Sequence, residues 1–295
     1  MLPTTTLSIA DICLSFNWNP GTFKIDIDQN LAAFSVQRPY IDESHILFSV
    51  NDYGVADLST WDLIFNTSPN SLWKLWRAKD SSSYLLSLHR NEQGDEPYQV
   101  VIANNHLSDF KVLNMNGEKN INISDFPLEL VLSGYLNINK KGVFLHSAMV
   151  VINGKGILFP GMPGSGKSSI AKLCLQDKDC EVLTDERVIL REKDGLLYAY
   201  GTPWHSTLPV YKNKGAPLHK IFFIKHGKEN SLQKISTLDA ANRLMVRCFP
   251  TFWHKEGMEF ALDFCSRIAS EVECYEFGFV PDNTSVELIK EFVKT

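Results

Sequence analysis

The sequence predicts a mixed-sheet α/β (α+β) domain that follows a β-rich N-terminal domain. A glycine-rich phosphate-loop motif lies between an apolar strand-like run and a helix-like run, which is the context that such a motif requires. Hairpin signals occur on both sides of the motif, so antiparallel strands join the sheet. The first 120 residues carry short aromatic and β-branched runs between turn residues. We therefore expect a β-rich domain over residues 1–124 and the mixed-sheet domain over residues 125–295.

Composition and charge exclude several classes of function. Hydrophobic residues make up 44% of the chain and charged residues 21%, which is ordinary for a globular protein. The net charge of -5 leaves no basic surplus for a general nucleic-acid partner. No apolar run approaches the roughly 20 residues that span a bilayer, and the N-terminus lacks the blocks of a signal peptide. The six cysteines include no C-x-x-C pair, which favours free thiols. We expect a cytoplasmic protein with no membrane partner.

The N-terminal part shows strand signals and no chemical motif. Turn-forming clusters at residues 51–54 and 91–95 separate the predicted strands. Trp61, Trp73 and Trp76 fit packing within a sheet better than a binding groove. The predicted strands are Ala32–Val36, His45–Val50, Ser83–Leu88 and Tyr98–Ile102.

The second part alternates strand and helix signals. Asn153-Gly154 between two apolar runs is a strong hairpin signal, and Lys193–Gly195 predicts another turn. The predicted helices are Asp125–Leu136, Ser169–Leu175, Leu238–Phe249, Gly257–Ile268 and Ser285–Val293, the last capped by Asn283 or Thr284. The predicted strands are Gly142–Ile152, Gly156–Pro160, Glu181–Leu190, Leu196–Tyr200, His219–Lys225 and Cys274–Phe279.

The central motif fits G-x-x-x-x-G-K-[ST] at every required position. Glycines let successive amide groups point inward, and the helix that opens at Gly166 adds the positive end of its dipole. In this pattern Lys167 contacts the β- and γ-phosphates, and the Ser168 hydroxyl binds Mg²⁺. We therefore expect a nucleoside triphosphate and Mg²⁺ to bind here. The loop residues are Gly161, Met162, Pro163, Gly164, Ser165, Gly166, Lys167, Ser168 and Ser169.

An acidic pair, Asp185 and Glu186, follows the loop closely. Asp185 comes 18 positions after Lys167 (185 minus 167), after one helix and one strand. In the usual nucleotide hydrolases the metal-binding acid comes much later in the chain. Phosphoryl transfer to a hydroxyl requires one carboxylate near the acceptor oxygen, and Asp185 at a strand end supplies it. A surface or helix-capping acid is the alternative interpretation.

Three segments together resemble the HPr kinase/phosphorylase family over residues 140–295. They are Leu145–Ser147, Phe159–Ser169 and Leu183–Val188. The resemblance is closest to the HPr-kinase-related, serine-kinase-like branch, and it implies a fold akin to ATP-dependent phosphoenolpyruvate carboxykinase. It also implies a homo-oligomer as an expectation, because members of the family assemble into rings or dimers. The later Gly-rich loop of the family is not recognisable, which leaves phosphorolysis and HPr as a substrate open.

The resemblance implies roles for individual residues. Lys167 and Ser168 would hold ATP and Mg²⁺. Asp185 would take the proton from an acceptor serine hydroxyl, with His146 lying against it. Glu186 replaces a second aspartate and, with Ser168 and Asp185, completes the metal-binding candidates.

Three basic side chains are candidates for substrate binding. His205 lies in a Pro-Trp-His loop, where it contacts the acceptor or nucleotide, or else belongs to a packed turn. Arg243 and Arg247 are four residues apart on one helical face, so both can reach phosphate oxygens. A solvated face with salt bridges is the alternative for this arginine pair.

These features lead to an expected kinase and three alternatives. We expect transfer of the ATP γ-phosphoryl group to a hydroxyl, namely serine of a protein or peptide. The alternatives are a kinase of a small-molecule alcohol, an ATP-binding regulatory or scaffold protein, and a carboxykinase-like enzyme. Asp185 and His146 favour transfer over simple binding, and a carboxykinase would need further arginines and metal ligands.

Overall fold

The computed structural model describes residues 4–37, 44–51, 57–66, 72–80, 82–89, 96–115 and 119–294. The predicted turn at 91–95 lies outside these residues, as does the turn at 51–54 from residue 52 onward. The chain divides into two compact units, Met1–Val131 and Leu132–Thr295. This division falls within the helix Leu128–Ile138, whereas the sequence places the boundary at residue 124.

The first unit is rich in strands. Within its described residues, an eight-stranded sheet has the order β1-β2-β4-β9-β8-β7-β6-β5, and β3 pairs with β10 in a small second sheet. β2, β4 and β9 run parallel to one another, and the other neighbours in the large sheet are antiparallel. The elements are β1 (Thr4–Ile9), β2 (Ile12–Trp18), β3 (Lys24–Asp26), α1 (Gln29–Ala32), β4 (His45–Asn51), β5 (Trp61–Asn66), β6 (Trp73–Ala78), β7 (Ser83–Leu88), β8 (Gln99–Asn104), β9 (Asp109–Asn114) and β10 (Asn120–Asn122).

A stack of aromatic rings forms the core of this first sheet. Phe16, Phe48 and Phe110 are direct neighbours on β2, β4 and β9, and all three are fully buried. The ring centroids of Phe16 and Phe48 are 4.5 Å apart, and those of Phe48 and Phe110 are 4.7 Å apart. Phe126 packs at a tilt against Phe16 and Phe48. Parallel pairing in register therefore aligns the rings into one apolar layer.

Phe48→Ala should destabilise the first unit most among its single core changes, because Phe48 is the middle ring of the stack. We expect a loss of about 3–5 kcal/mol in the free energy of unfolding, measured by urea denaturation. The matched control is Phe65→Ala, since Phe65 lies on the outermost strand β5 and is only partly buried. A loss from Phe48→Ala no larger than that from Phe65→Ala would contradict this account of the core.

Sequence patterns named four strands in the first unit, of which three are confirmed and one is wrong, and they missed the other described strands. The strands predicted at His45–Val50, Ser83–Leu88 and Tyr98–Ile102 are confirmed as β4, β7 and β8. The strand predicted at Ala32–Val36 is wrong, because Ala32 ends α1 and a turn follows. There the Ser8 amide donates to the Phe34 carbonyl, so the apolar run anchors a turn against β1.

The second unit contains the phosphate loop and an eight-stranded sheet built around two long strands. Its described elements are α2 (Leu128–Ile138, which begins in the first unit), β11 (Val143–Ile152), β12 (Lys155–Pro160), α3 (Lys167–Cys174), β13 (Cys180–Thr184), β14 (Arg187–Lys193), β15 (Leu196–Gly201), β16 (Gly215–His226), β17 (Ser231–Lys234), α4 (Thr237–Met245), α5 (Lys255–Glu271), β18 (Glu273–Phe279) and α6 (Asn283–Lys294).

The long strands β11 and β16 each pair with three other strands of this sheet. The first half of β11 pairs with β14, and β15 connects β14 to the start of β16, all antiparallel. The second half of β11 pairs with β12 and β13, while β12, β16 and β18 run parallel and β17 closes the edge. The predicted mixed sheet is confirmed, and in it the ends of β12 and β13 lie beside the middle of β11.

Helices cover both faces of the mixed sheet. One core cluster packs α3 and α6 against the sheet through Ile170, Ala171, Val286 and Ile289. The other packs α4 and α5 against the opposite face through Leu244, Ala261 and other buried side chains. The loop between β12 and α3 follows the carboxyl end of β12, which pairs with β11 on one side and β16 on the other.

Most predictions for the second unit are confirmed, but the strand predicted at Glu181–Leu190 is two strands, β13 and β14, separated by a bend at Asp185 and Glu186, and one cap is wrong. The Asn153-Gly154 hairpin joins β11 to β12, with positive φ at both residues. Asn283 already lies in α6, and the side chain that accepts a hydrogen bond from the Thr284 amide is that of Asp282. The six cysteines are free thiols. Among the residues that the structure describes, no helix combines the length and apolar character needed to cross a bilayer.

Candidate functional site

The phosphate loop depends on glycine at two positions where a side chain would collide with its surroundings. A Cβ atom on Gly161 would lie 2.1 Å from Ser165 Oγ. Gly166 caps α3 with φ of 109°, and a Cβ there would lie 3.0 Å from the Phe279 ring. Gly164 also has a positive φ of 78°. The loop backbone therefore turns through the left-handed region at Gly164 and Gly166, which glycine adopts without strain.

Gly166→Ala should weaken both folding and nucleotide binding, because Cβ adds a collision to an unfavourable φ. We expect a destabilisation of roughly 1–3 kcal/mol together with lower affinity for Mg·ATP. The control is Gly195→Ala, since Gly195 also has a positive φ of 77° but nothing lies within 4 Å of its Cβ position. Thermal unfolding and ATP titration separate the two effects, and normal ATP affinity in Gly166→Ala would contradict the loop assignment.

The Lys167 side chain is buried against the loop. Its Nζ donates to the carbonyl oxygens of Gly161 at 3.0 Å and Met162 at 3.2 Å. Burial lowers the pKa of Lys167, and the charges of Glu186 and Asp185 oppose that shift. The Lys167 amine therefore lies against the loop, where the oxygens of a bound anion can replace the two carbonyl oxygens as hydrogen-bond acceptors.

Ser168 and Asp185 form a hydrogen-bonded pair beside this amine. Ser168 Oγ donates to Asp185 Oδ2 at 2.9 Å, and Asp185 is fully buried. The backbone amides of Ser206 and Leu208 also donate to the carboxylate, at 2.9 and 3.3 Å. Three donors thus hold the Asp185 carboxylate against the loop serine, as the sequence spacing predicts.

The segment after β15 supports Asp185 through its backbone. Thr184 Oγ1 donates to the carbonyl oxygen of Trp204 at 3.1 Å, and Thr184 forms a β-bridge with Tyr211. The indole of Trp204 contacts Phe144 edge to face. The Pro-Trp-His loop therefore positions the Ser206 amide that binds Asp185. Sequence reasoning missed this role because a main-chain donor leaves no residue-type signal.

His146 contacts Glu186 and Arg187 rather than Asp185, which corrects the expected pairing. His146 Nδ1 lies 3.3 Å from Glu186 Oε1 and accepts a short hydrogen bond from Arg187 Nη1. Arg187 also pairs with Glu186 at 2.5 Å. His146 on β11 pairs directly with Arg187 on β14. Glu186 is the residue next to Arg187 in the chain, and Asp185 lies one residue beyond Glu186. The register between β11 and β14 therefore places His146 against Arg187 and its neighbour Glu186.

The His146 imidazole is neutral near pH 7. Burial, and next the charge of Lys167, lower its pKa from the ordinary 6.5 to about 4. Because Nδ1 accepts from Arg187, the proton of the neutral ring lies on Nε2, which is buried and has no hydrogen-bond partner. His146 therefore carries a buried N–H donor that has no partner in the structure.

This lowered pKa predicts a dependence of stability on pH. Above pH 6.5 the imidazole is neutral in both folded and unfolded chains, so its contribution is constant. Between pH 6.5 and about 4 the unfolded chain binds the proton more readily, so stability falls as the pH falls. His146→Gln should lose this part of the pH dependence. Urea denaturation at pH 7, 5.5 and 4.5 measures it, and an unchanged slope in the variant would contradict a neutral buried His146.

A cavity of about 490 Å³ opens beside the loop. Polar groups of the loop, the carboxylate of Glu186 and the imidazole of His146 line it, as do Ser206 and Thr207. His226, Phe279 and Pro281 complete the lining, and His226 Nε2 lies 3.2 Å from the Gly164 carbonyl oxygen. These three residues come from the ends of β16 and β18, and only the three-dimensional sheet order identifies them.

The three basic substrate candidates have different environments. His205 is exposed, stacks on Tyr211 and does not line the cavity. Arg243 pairs with Asp239 at 2.9 Å and Glu276 at 3.0 Å, which matches the salt-bridge alternative. Arg247 donates to the Arg243 carbonyl at 2.7 Å, and its backbone carbonyl accepts from the His146 amide. The structure therefore brings Arg247, but not Arg243, next to His146.

The donor set fits Mg²⁺ bound together with phosphates. Among the described residues, no three His, Cys, Asp or Glu side chains form a cluster that could hold a metal by themselves. Mg²⁺ commonly binds one or two protein carboxylates and completes its coordination shell with phosphate oxygens and waters. Ser168 and the Asp185 carboxylate supply the protein part of such a shell, and Glu186 lies at the cavity wall.

Comparison with known proteins gives no match to a protein-family model and no significant match to a curated protein.

Proposed function

We propose that this protein is an ATP-dependent kinase that transfers the γ-phosphoryl group to a hydroxyl, with serine of a protein or peptide as the acceptor. The observation that carries the proposal is the Ser168–Asp185 hydrogen bond of 2.9 Å directly beside the Lys167 loop. A phosphate loop, a paired metal-binding serine and aspartate, and an adjacent cavity are the parts that phosphoryl transfer requires. The phosphate-loop fold of the HPr kinase type and a homo-oligomer belong to the same proposal.

The loop and its helix would hold the triphosphate. The inward amides and the N-terminus of α3 favour negative charge, and Lys167 adds a cation for the β- and γ-phosphates. Ser168 and Asp185 would hold Mg²⁺, which neutralises charge on the transferred group when bound. Since Asp185 already has three donors, little rearrangement of this carboxylate is needed.

The geometry favours Glu186 over Asp185 as the group that accepts the acceptor's proton. Asp185 is fully buried, whereas Glu186 lines the cavity with about 21% of its side chain exposed. A base must come within hydrogen-bond reach of the incoming hydroxyl, so the cavity-facing carboxylate is better placed. The role of Asp185 as the base stays a prediction, and the variants Asp185→Asn and Glu186→Gln separate the two assignments.

The test is a transfer assay with γ-labelled Mg·ATP and serine-containing proteins and peptides. The proposal predicts acid-stable label on a hydroxyl, with loss of the label in Lys167→Ala. The second candidate, an ATP-binding regulatory protein, predicts tight ATP binding with the γ-phosphoryl group retained. The observation that favours this alternative is the environment of Asp185. Its carboxylate is buried and accepts three hydrogen bonds, so it does not face an acceptor hydroxyl. No binding and no transfer would exclude both functions.

A further inference from the structure

Three basic residues lie side by side on adjacent backbone segments next to the cavity. Arg187 on β14 pairs directly with His146 on β11. On the other side of β11, Leu145 bridges Cys248 antiparallel, and the His146 amide donates to the Arg247 carbonyl at 2.8 Å. Directly paired residues of antiparallel segments project their side chains to the same side. Arg187, His146 and Arg247 therefore form one row, which we call the basic row.

The charge of the basic row is incompletely compensated. Glu186 contacts Arg187 and His146, whereas Arg247 contacts no carboxylate among the residues that the structure describes. Arg247 Nε is buried without a hydrogen-bond partner, and so is His146 Nε2. Arg247 as a whole is half-buried, and a cation partly withdrawn from water without a counter-ion is stabilised when a ligand supplies the anion. Two unused donors on neighbouring residues indicate where that anion binds.

Aromatic rings hold the two guanidinium groups in place. Arg187 lies over the Phe249 ring at 4.9 Å, and Phe249 packs against Phe144. Arg247 lies over the Phe223 ring at 5.5 Å. Such contacts preorganise guanidinium groups without neutralising their charge. The positive charges of these arginines also act on groups that line the cavity. Arg247 is one of the charges that lower the pKa of Lys167 and of His146.

We propose that the basic row is a second anion-binding subsite that takes a carboxylate or phosphate group which the acceptor carries near its hydroxyl. This inference rests on the kinase function proposed above. His146 belongs to both the row and the cavity wall, whereas Arg187 and Arg247 lie behind that wall, so an anion would reach the row from the cavity past His146 and Glu186. An anion bound there would place the attached hydroxyl near the cavity-facing carboxylate. The acceptor is thus an acidic one, such as a serine flanked by acidic residues.

The test is calorimetric titration of inorganic phosphate into the full chain already saturated with Mg²⁺ and a non-hydrolysable ATP analogue. We expect one further phosphate to bind, and Arg247→Gln to weaken it roughly 10- to 100-fold, as for loss of a charge-assisted hydrogen bond. Arg243→Gln is the matched control, because Arg243 already pairs with Asp239 and Glu276. Repeating the titration with malonate distinguishes carboxylate from phosphate as the preferred group.

The outcomes separate this inference from the proposed function. Analogue binding without a further phosphate, or phosphate binding that Arg247→Gln leaves unchanged, overturns the subsite and leaves the kinase proposal intact. Failure to bind the analogue overturns the proposed function and the subsite with it. If Arg247→Gln does not fold, Arg247→Lys and His146→Gln replace it. Both should weaken phosphate binding, and normal affinity in both would overturn the subsite.

Discussion

Lys167→Ala is expected to reduce γ-phosphoryl transfer roughly 10²- to 10³-fold, which is the scale for removing one preorganised charge-stabilising donor. Lys167 is buried at the loop, and its amine has only two carbonyl partners there, so phosphate oxygens are its natural ligands. Affinity for Mg·ATP should fall in the same variant. Calorimetry measures the affinity, and release or transfer of labelled phosphate measures the turnover.

Lys172→Ala is the matched control for this variant. Lys172 lies on the same helix α3 but is exposed, away from the loop carbonyls. Its removal should leave ATP affinity and turnover within about twofold of the unmodified protein, as for surface changes in general. Equal losses in both variants would show a general effect of charge on α3 and would remove the specific role of Lys167.

Asp185→Asn and Glu186→Gln are expected to fail in different ways. Asp185→Asn weakens a carboxylate that accepts three hydrogen bonds, so stability should fall by about 1–3 kcal/mol. The Mg²⁺ concentration needed for half-maximal turnover should rise roughly 10- to 100-fold. Glu186→Gln should keep Mg·ATP affinity and lower turnover roughly 10²- to 10⁴-fold, as for loss of a general base.

Glu181→Gln controls for charge removal near this site. Glu181 lies on β13 and pairs with Lys212 and Lys214 at the surface. It should change neither the Mg²⁺ requirement nor the turnover. If Asp185→Asn keeps its Mg²⁺ dependence while losing turnover, Asp185 is the base and the assignment of Glu186 is wrong.

Local patterns were sufficient to predict the strand and helix on either side of the glycine-rich loop. These two elements, the Asn153-Gly154 turn and the strand that ends next to Asp185 depend on residue types at fixed spacing. The strand prediction at Ala32–Val36 was wrong because an apolar run of five residues fits a buried turn as well as a strand. Short apolar runs without a defined period therefore remain ambiguous.

The side-chain partners in the site depend on strand register, which the sequence does not display. The pairing of His146 with Arg187 places the imidazole against Glu186 instead of Asp185. The approach of Arg247 to His146 requires the segment after α4 to extend the sheet next to β11. His226 and Phe279 reach the loop because β16 and β18 end beside it. These contacts are long-range, so spacing along the chain could not predict them.

Phosphorus NMR of Mg·ATP incubated with the protein tests the central claim most directly, because it follows each phosphate separately. Water can serve as a slow hydroxyl acceptor, so no knowledge of the natural acceptor is needed. We predict loss of the γ-phosphate signal, appearance of ADP and inorganic phosphate, and no such change with Lys167→Ala. The claim of a γ-phosphoryl kinase would be contradicted if ATP binds to the protein and stays intact. Cleavage between the α- and β-phosphates would contradict it as well.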